Sequence, residues 1–207
     1  KKFGINQTRK EVLKINRVTD PEKAIKDIET IIPQISNRRW QTRNFRLSIS
    51  LRLADLYIRT GEFQKAEAQL TSLVTEVDTL DVNWTRAMFP QYNGTIYDCY
   101  DHLGYYFLMT GNLKKAEDIF QLSKLKRDKV FPPRSVHRLF PLVGMGSLNF
   151  RKNNFDETYR IFNDAEKKLN RATTTYYDFD NVRRLYLSDL AEICMIQGRS
   201  KESLDYL

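Results

Sequence analysis

The sequence predicts an all-α fold built as an array of antiparallel helical hairpins. Three observations carry this. Only 8 glycines and 6 prolines stand among 207 residues that are otherwise rich in Leu, Ile, Lys, Arg, Glu and Ala, a composition that favours helices. No run shows the apolar–polar alternation between hairpin turns that marks paired strands. One short pattern recurs along the chain: an apolar-periodic run, a turn residue, and a small residue shortly after it.

The clearest copy is LADLYIRTGEFQKAE, residues 53–67. It aligns with LGYYFLMTGNLKKAEDIF (103–120), so that Ala54 matches Gly104, Gly61 matches Gly111, Ala66 matches Ala116 and Leu70 matches Phe120. A third copy at 145–162 places Gly146, Asn153, Thr158 and Phe162 at these positions, and a fourth at 190–207 places Ala191, Gly198, Ser203 and Leu207. A degenerate first copy, VTDPEKAIKDI (18–28), has Asp20-Pro21 at the turn, Ala24 and Ile28. The turn position favours Gly or Asn because the chain leaves the helix there with positive φ. The small residues sit where two helices cross, and a larger side chain would push them apart.

Helices are predicted over 7–18, 21–35, 40–60, 63–78, 95–110, 113–127, 135–152, 155–170, 180–197 and 200–207, five antiparallel pairs with the last cut short. Asp20-Pro21 opens the second, and Gly61, Gly111, Asn153 and Gly198 divide the later pairs. Pro90 and Asn93-Gly94 mark a loop across 82–95, after which Thr95 is a candidate N-cap. DKVFPPRS (128–135) and NRATTTYYDFD (170–180) are similar breaks. Pro141 requires a kink, or a helix that starts at it.

The repeated residues resemble the tetratricopeptide repeat family from about residue 18 to the end. The resemblance implies a superhelical α-solenoid, a single domain over 1–207, that serves as a protein-binding scaffold. The turns at about 19, 61, 111, 153 and 198 are 42 to 50 residues apart, against about 34 in the standard repeat. The extra residues lengthen each helix by about one turn, or lengthen the links. Stretched repeats of this kind resemble those of kinesin light chains, bacterial peptide-sensing regulators, and proteasome-lid-like and trafficking-complex subunits.

The resemblance also places the first helix of each hairpin on the concave face. Its inward positions include Arg52, Asp55 and Arg59 in the second hairpin, and Asp98, Asp101, His102, Tyr105 and Met109 in the third. The fourth has Val143, Ser147, Phe150 and Arg151, and the fifth has Ser188, Glu192 and Met195. The candidate partner-binding groove is Arg52, Asp55, Arg59, Asp101, His102, Tyr105, Phe150, Arg151 and Glu192. The Lys and Asn positions that hold a terminal carboxylate in chaperone-binding members carry Leu51, Asp55, Asp101 and His102 here, so chaperone tails are not the expected ligand. For Tyr105, Phe150 and Met195, packing between hairpins outweighs a role in binding.

A net charge of +8 favours an acidic partner. Arg39, Arg43 and Arg46 share one helical face near Trp40 and Phe45 and form a candidate basic face. Without a recognised docking element, nucleic acid ranks below protein as its partner. The run Lys124, Lys126, Arg127 and Lys129 reads as a solvated helix end complementing the dipole. Cys99 and Cys194 read as small buried hydrophobes. Cys99 and His102, three apart, are half a zinc site with no second pair to complete it. No cofactor, phosphate loop or catalytic constellation is indicated, and the expected function is binding rather than catalysis.

With no signal-peptide core or membrane-length apolar run, the expected location is intracellular, in the cytoplasm. The chain starts without Met and reads as a piece of a longer protein. The alternatives are the ligand-sensing or assembly domain of a bacterial regulator, and a subunit of a eukaryotic multi-protein assembly. The last hairpin leaves Leu204 and Leu207 to be covered by another helix or a partner.

Overall fold

The structure, a computed structural model, describes residues 3–15, 18–35, 40–80, 93–171 and 176–206. Among them the fold is all-helical. The helices are α1 (Ile5–Ile15), α2 (Pro21–Ile31), α3 (Trp40–Arg59), α4 (Phe63–Asp78), α5 (Asn93–Met109), α6 (Leu113–Val130), α7 (Leu139–Arg151), α8 (Phe155–Leu169), α9 (Tyr176–Ile196) and α10 (Ser200–Asp205). Short 3-10 turns occupy Ile32–Gln34 and Val136–Arg138. No described helix is long and apolar enough to cross a membrane. The chain divides into two compact units, Lys1–Leu103 and Gly104–Leu207, where the sequence reading has one array.

The hairpin turns repeat in geometry as well as in sequence. Gly61, Gly111 and Gly198 have φ of 79°, 77° and 73°, and Asn153 has 59°. At each, the following amide reaches back five residues: Glu62 N–H to Tyr57 O, Asn112 to Phe107, Asn154 to Asn149 and Arg199 to Cys194, at 2.7–2.9 Å. The turn residue's own amide bonds three residues back, at 2.9–3.2 Å. This pair of bonds is the Schellman ending, which satisfies carbonyls that the helix leaves open. The first, degenerate copy differs. Asp20 has φ −71° and its side chain accepts from the Lys23 amide at 3.1 Å, so this junction is an N-capped helix start rather than a left-handed turn.

In the first unit, α3 packs against α4, α2 and α1. Ala24, Ala54 and Ala66 are completely buried, at the crossing positions the pattern assigns to small residues. Leu70, Leu73 and Val77 carry the buried stripe along α4. Val12, Ile35 and Ile49 form a cluster at the amino end. There Phe3 pairs with Ile35 in an isolated bridge.

In the second unit, the ring of Phe120 on α6 lies against Gly104 of α5 and Gly144 of α7. A Cβ added at either glycine would fall 2.5 or 2.3 Å from its Cε1. Phe162 on α8 lies against Gly146 of α7 in the same way, at 2.2 Å. The weaker copies keep the close contact with a hydroxyl in place of a methyl. Thr158 Oγ1 lies 3.4 Å from the Gly146 carbonyl, and Ser203 Oγ donates to the Ala191 carbonyl at 3.0 Å. In both copies the acceptor is the small residue twelve positions earlier. Val143, Ile161, Phe162, Leu169, Val182 and Tyr186 make the core around α7, α8 and α9.

Several expectations shift. The first helix starts at Ile5 and does not extend to Val18, the second passes into the 3-10 turn at Ile32, and α6 runs on to Val130. Asn93 and Gly94 are already helical, so Thr95 is inside α5 rather than its cap. Pro141 is the third residue of α7, in the first turn, where its missing N–H has no helical partner to lose. Arg127 is completely buried beneath the ring of Phe140, 5.3 Å from its centroid, so the run at 124–129 is not wholly a solvated helix end. Where the stretch can be located, it lies in the helices. The 20-residue α3 with the 16-residue α4, and the 17-residue α5 with the 18-residue α6, each contain more helix than a whole standard repeat has residues. Most of the expected 82–95 loop, part of the 170–180 link and Leu207 lie outside the described residues.

Candidate functional site

In the first unit two of the predicted groove residues, Asp55 of α3 and His102 of α5, are brought together. Arg52, Asp55 and Arg59 follow one stripe of α3. Asp55 Oδ1 lies 3.0 Å from Nδ1 of His102 on α5. Burial of the His102 ring opposes its charge, yet its pKa is raised. The hydrogen bond to Asp55 and the negative charges of Asp55, Asp98 and Asp101 outweigh the burial. Nδ1–H therefore donates to Asp55, and the pair joins two first helices of successive hairpins. Arg52 donates from Nη2 to the Val18 carbonyl at 3.2 Å and ties α3 to the stretch leading into α2. Asp101 is buried. Arg59 is exposed.

In the second unit the corresponding place is where α7 meets α9. The Ser147 hydroxyl donates to the Asp189 carboxylate. Burial raises the Asp189 pKa and the Glu192 charge adds to it, while the Ser147 hydrogen bond and the Arg151 charge act the other way. Arg151 is exposed, with its guanidinium 5.4 Å from the Phe150 ring centroid, and Glu192 is exposed. Phe150 is buried, and Tyr105, half-buried, meets the Phe120 ring edge-on at 5.2 Å. Met195, expected to pack, is 58% exposed, as are its neighbour Ile196 (59%) and Leu204 on α10 (72%). Asp189 is not among the inward positions expected from the sequence; Ser188, one position away, is, and it is exposed.

The candidate basic face is changed by its neighbours. Arg39 lies outside the described residues. Arg43 and Arg46 share Glu76 on α4: Arg43 Nε is 3.9 Å from its carboxylate, and Arg46 is in direct contact with it. The Arg46 side chain is only 16% exposed. These two arginines therefore brace α3 against α4 instead of presenting an open cationic surface.

Cys99 and His102 share a helix and not a ligand. Cys99 is buried with Sγ 3.0 Å from the Ile96 carbonyl, while the His102 ring is turned to Asp55. Cys194 is buried too, and burial pushes its thiol pKa up. Both match the reading of cysteine as a small core residue.

The groove residues thus divide by what the fold already asks of them. Arg52, Asp55, Asp101, His102, Tyr105 and Phe150 are engaged or buried within the chain, while Arg59, Arg151 and Glu192 present charge to solvent. Such an arrangement can form charge-assisted hydrogen bonds to a second molecule. Comparison of the chain with protein-family models, with curated proteins and with solved structures finds no match.

Proposed function

We propose that the chain is built of stretched tetratricopeptide-like hairpins and binds a partner protein or peptide, as a scaffold or regulatory module, without catalysing a reaction. The observation that carries this is the hairpin closed four times by the same left-handed turn, with a small residue at each crossing. Repetition of one packing unit builds an extended surface rather than a single enclosed pocket. The first helices of adjacent hairpins are joined by polar pairs, Asp55 with His102 and Ser147 with Asp189, and exposed charges flank them. A surface of mixed charge beside packed aromatic residues suits a partner helix or an extended peptide.

The test is affinity capture from the native host with the full chain and two charge-reversed forms, Arg59→Glu and the double variant Arg151→Glu/Glu192→Arg. The proposal expects a protein held by the native chain and lost by at least one variant, but kept by the control Lys10→Glu on α1. Equal recovery by all four forms contradicts it.

A further inference from the structure

The second unit carries a cavity of about 210 Å³ lined by Pro133, Arg134, Ser135, Leu139, Lys168 and Arg171. Three of the six lining residues are cations, and none is a carboxylate. Lys168 is paired with Asp164 one turn away on its own helix, at 2.7 Å. Arg134 and Arg171 are exposed, and no carboxylate among the described residues pairs with either. Two other sets of cations among the described residues do meet a carboxylate. Arg43 and Arg46 converge on Glu76, and Arg138 on Asp128.

Two guanidiniums lining one cavity, neither paired with a described carboxylate, favour an anion with several acceptor oxygens between them. The cavity is small beside the roughly 300–1,000 Å³ of pockets for drug-sized ligands, so it suits one anionic group and the atoms next to it. A phosphoryl group fits this best. It carries about −1.5 to −2 charge and three acceptor oxygens, against three cations and the Ser135 hydroxyl. Pro133, which is exposed, adds apolar surface beside the charge, which a peptide backbone or side chain can cover and a free ion cannot.

We propose that Arg134, Lys168 and Arg171 form a recognition site for a phosphorylated peptide side chain. The site uses none of the groove residues and does not rest on the function proposed above.

The test uses the full chain and three fluorescent probes: a phosphoserine peptide of otherwise uncharged sequence, its unphosphorylated counterpart, and an oligothymidylate of equal charge. Anisotropy is measured with the native chain, with Arg134→Gln/Arg171→Gln, and with Arg9→Gln/Lys10→Gln on α1 as control. The expected result is phosphopeptide binding at least about tenfold tighter than the unphosphorylated peptide. That preference is lost in the Arg134/Arg171 variant and kept in the control. Inorganic phosphate competes only weakly, because it lacks the apolar contact. Equal binding of the two peptides, equal binding by native and Arg134/Arg171 variant, or tighter binding of the oligothymidylate overturns the proposal. All four substituted side chains are exposed, and circular dichroism verifies that both variants keep their helix.

Discussion

Phe120 lies so close to Gly144 that a Cβ on the glycine would fall 2.3 Å from the ring, and Gly104 closes on the same ring at 2.5 Å. The phenylalanine of a second helix is thus seated between two first helices by the absence of side chains on both. The ring cannot give way toward one without meeting the other. Gly144→Ala and Gly104→Ala are expected to lower stability by about 1–2 kcal/mol each, an overpacking cost larger than the gain in helix propensity. Denaturant unfolding measures this. With Phe120→Leu in the background, the cost of Gly144→Ala is expected to shrink, a coupling that a double-mutant cycle reads directly.

The four left-handed turns predict an asymmetry. Gly61→Ala and Gly111→Ala force a side chain into positive φ and are expected to cost about 1 kcal/mol each. Asn153→Gly removes a side chain from that region and is expected to lose nothing. Shifts in the urea midpoint at constant slope report both.

His102 predicts a pH dependence with a definite sign. Its folded pKa is raised above the unfolded value. The stability it contributes is therefore fully present below the unfolded pKa and is lost as pH rises through the folded pKa. Native and His102→Gln chains, unfolded across about pH 5.5 to pH 9, are expected to differ most at the acid end and to converge at the alkaline end. Asp55→Asn is expected to flatten the native profile in the same way.

Arg127 separates a buried cation from a solvated one. Arg127→Ala is expected to cost about 2–3 kcal/mol, since it removes a completely buried side chain from beneath Phe140. Lys124→Ala and Lys129→Ala, both exposed, are expected to stay within about 0.5 kcal/mol of the native chain in the same thermal melts.

Local signals made most of the fold legible. A left-handed turn requires Gly or Asn at one position, so Gly61, Gly111, Asn153 and Gly198 could be located without tertiary information. Helix crossings require small residues, so Ala24, Ala66, Ala116, Thr158 and Ser203 announced themselves as buried. The exposed or buried state of the charges was not legible, because it depends on the facing helix. Arg43 and Arg46 read as an open basic face until Glu76, thirty residues further on, is seen opposite them. Arg127 read as solvated because its neighbours Lys124 and Lys129 are. Asp189 was missed by one position over a 21-residue helix, where a small error in period moves the inward stripe to the next residue. The cluster of Arg134, Lys168 and Arg171 joins two links far apart in sequence, and no local pattern could bring them together.

The central claim is that the first helices of the hairpins are the binding surface. Amide hydrogen exchange of the full chain, alone and with a captured partner, tests it most directly. The account predicts that binding slows exchange along α3 and α5, or along α7 and α9, around Arg59 or around Arg151 and Glu192. Protection confined to the second helices α4, α6 and α8 would contradict it.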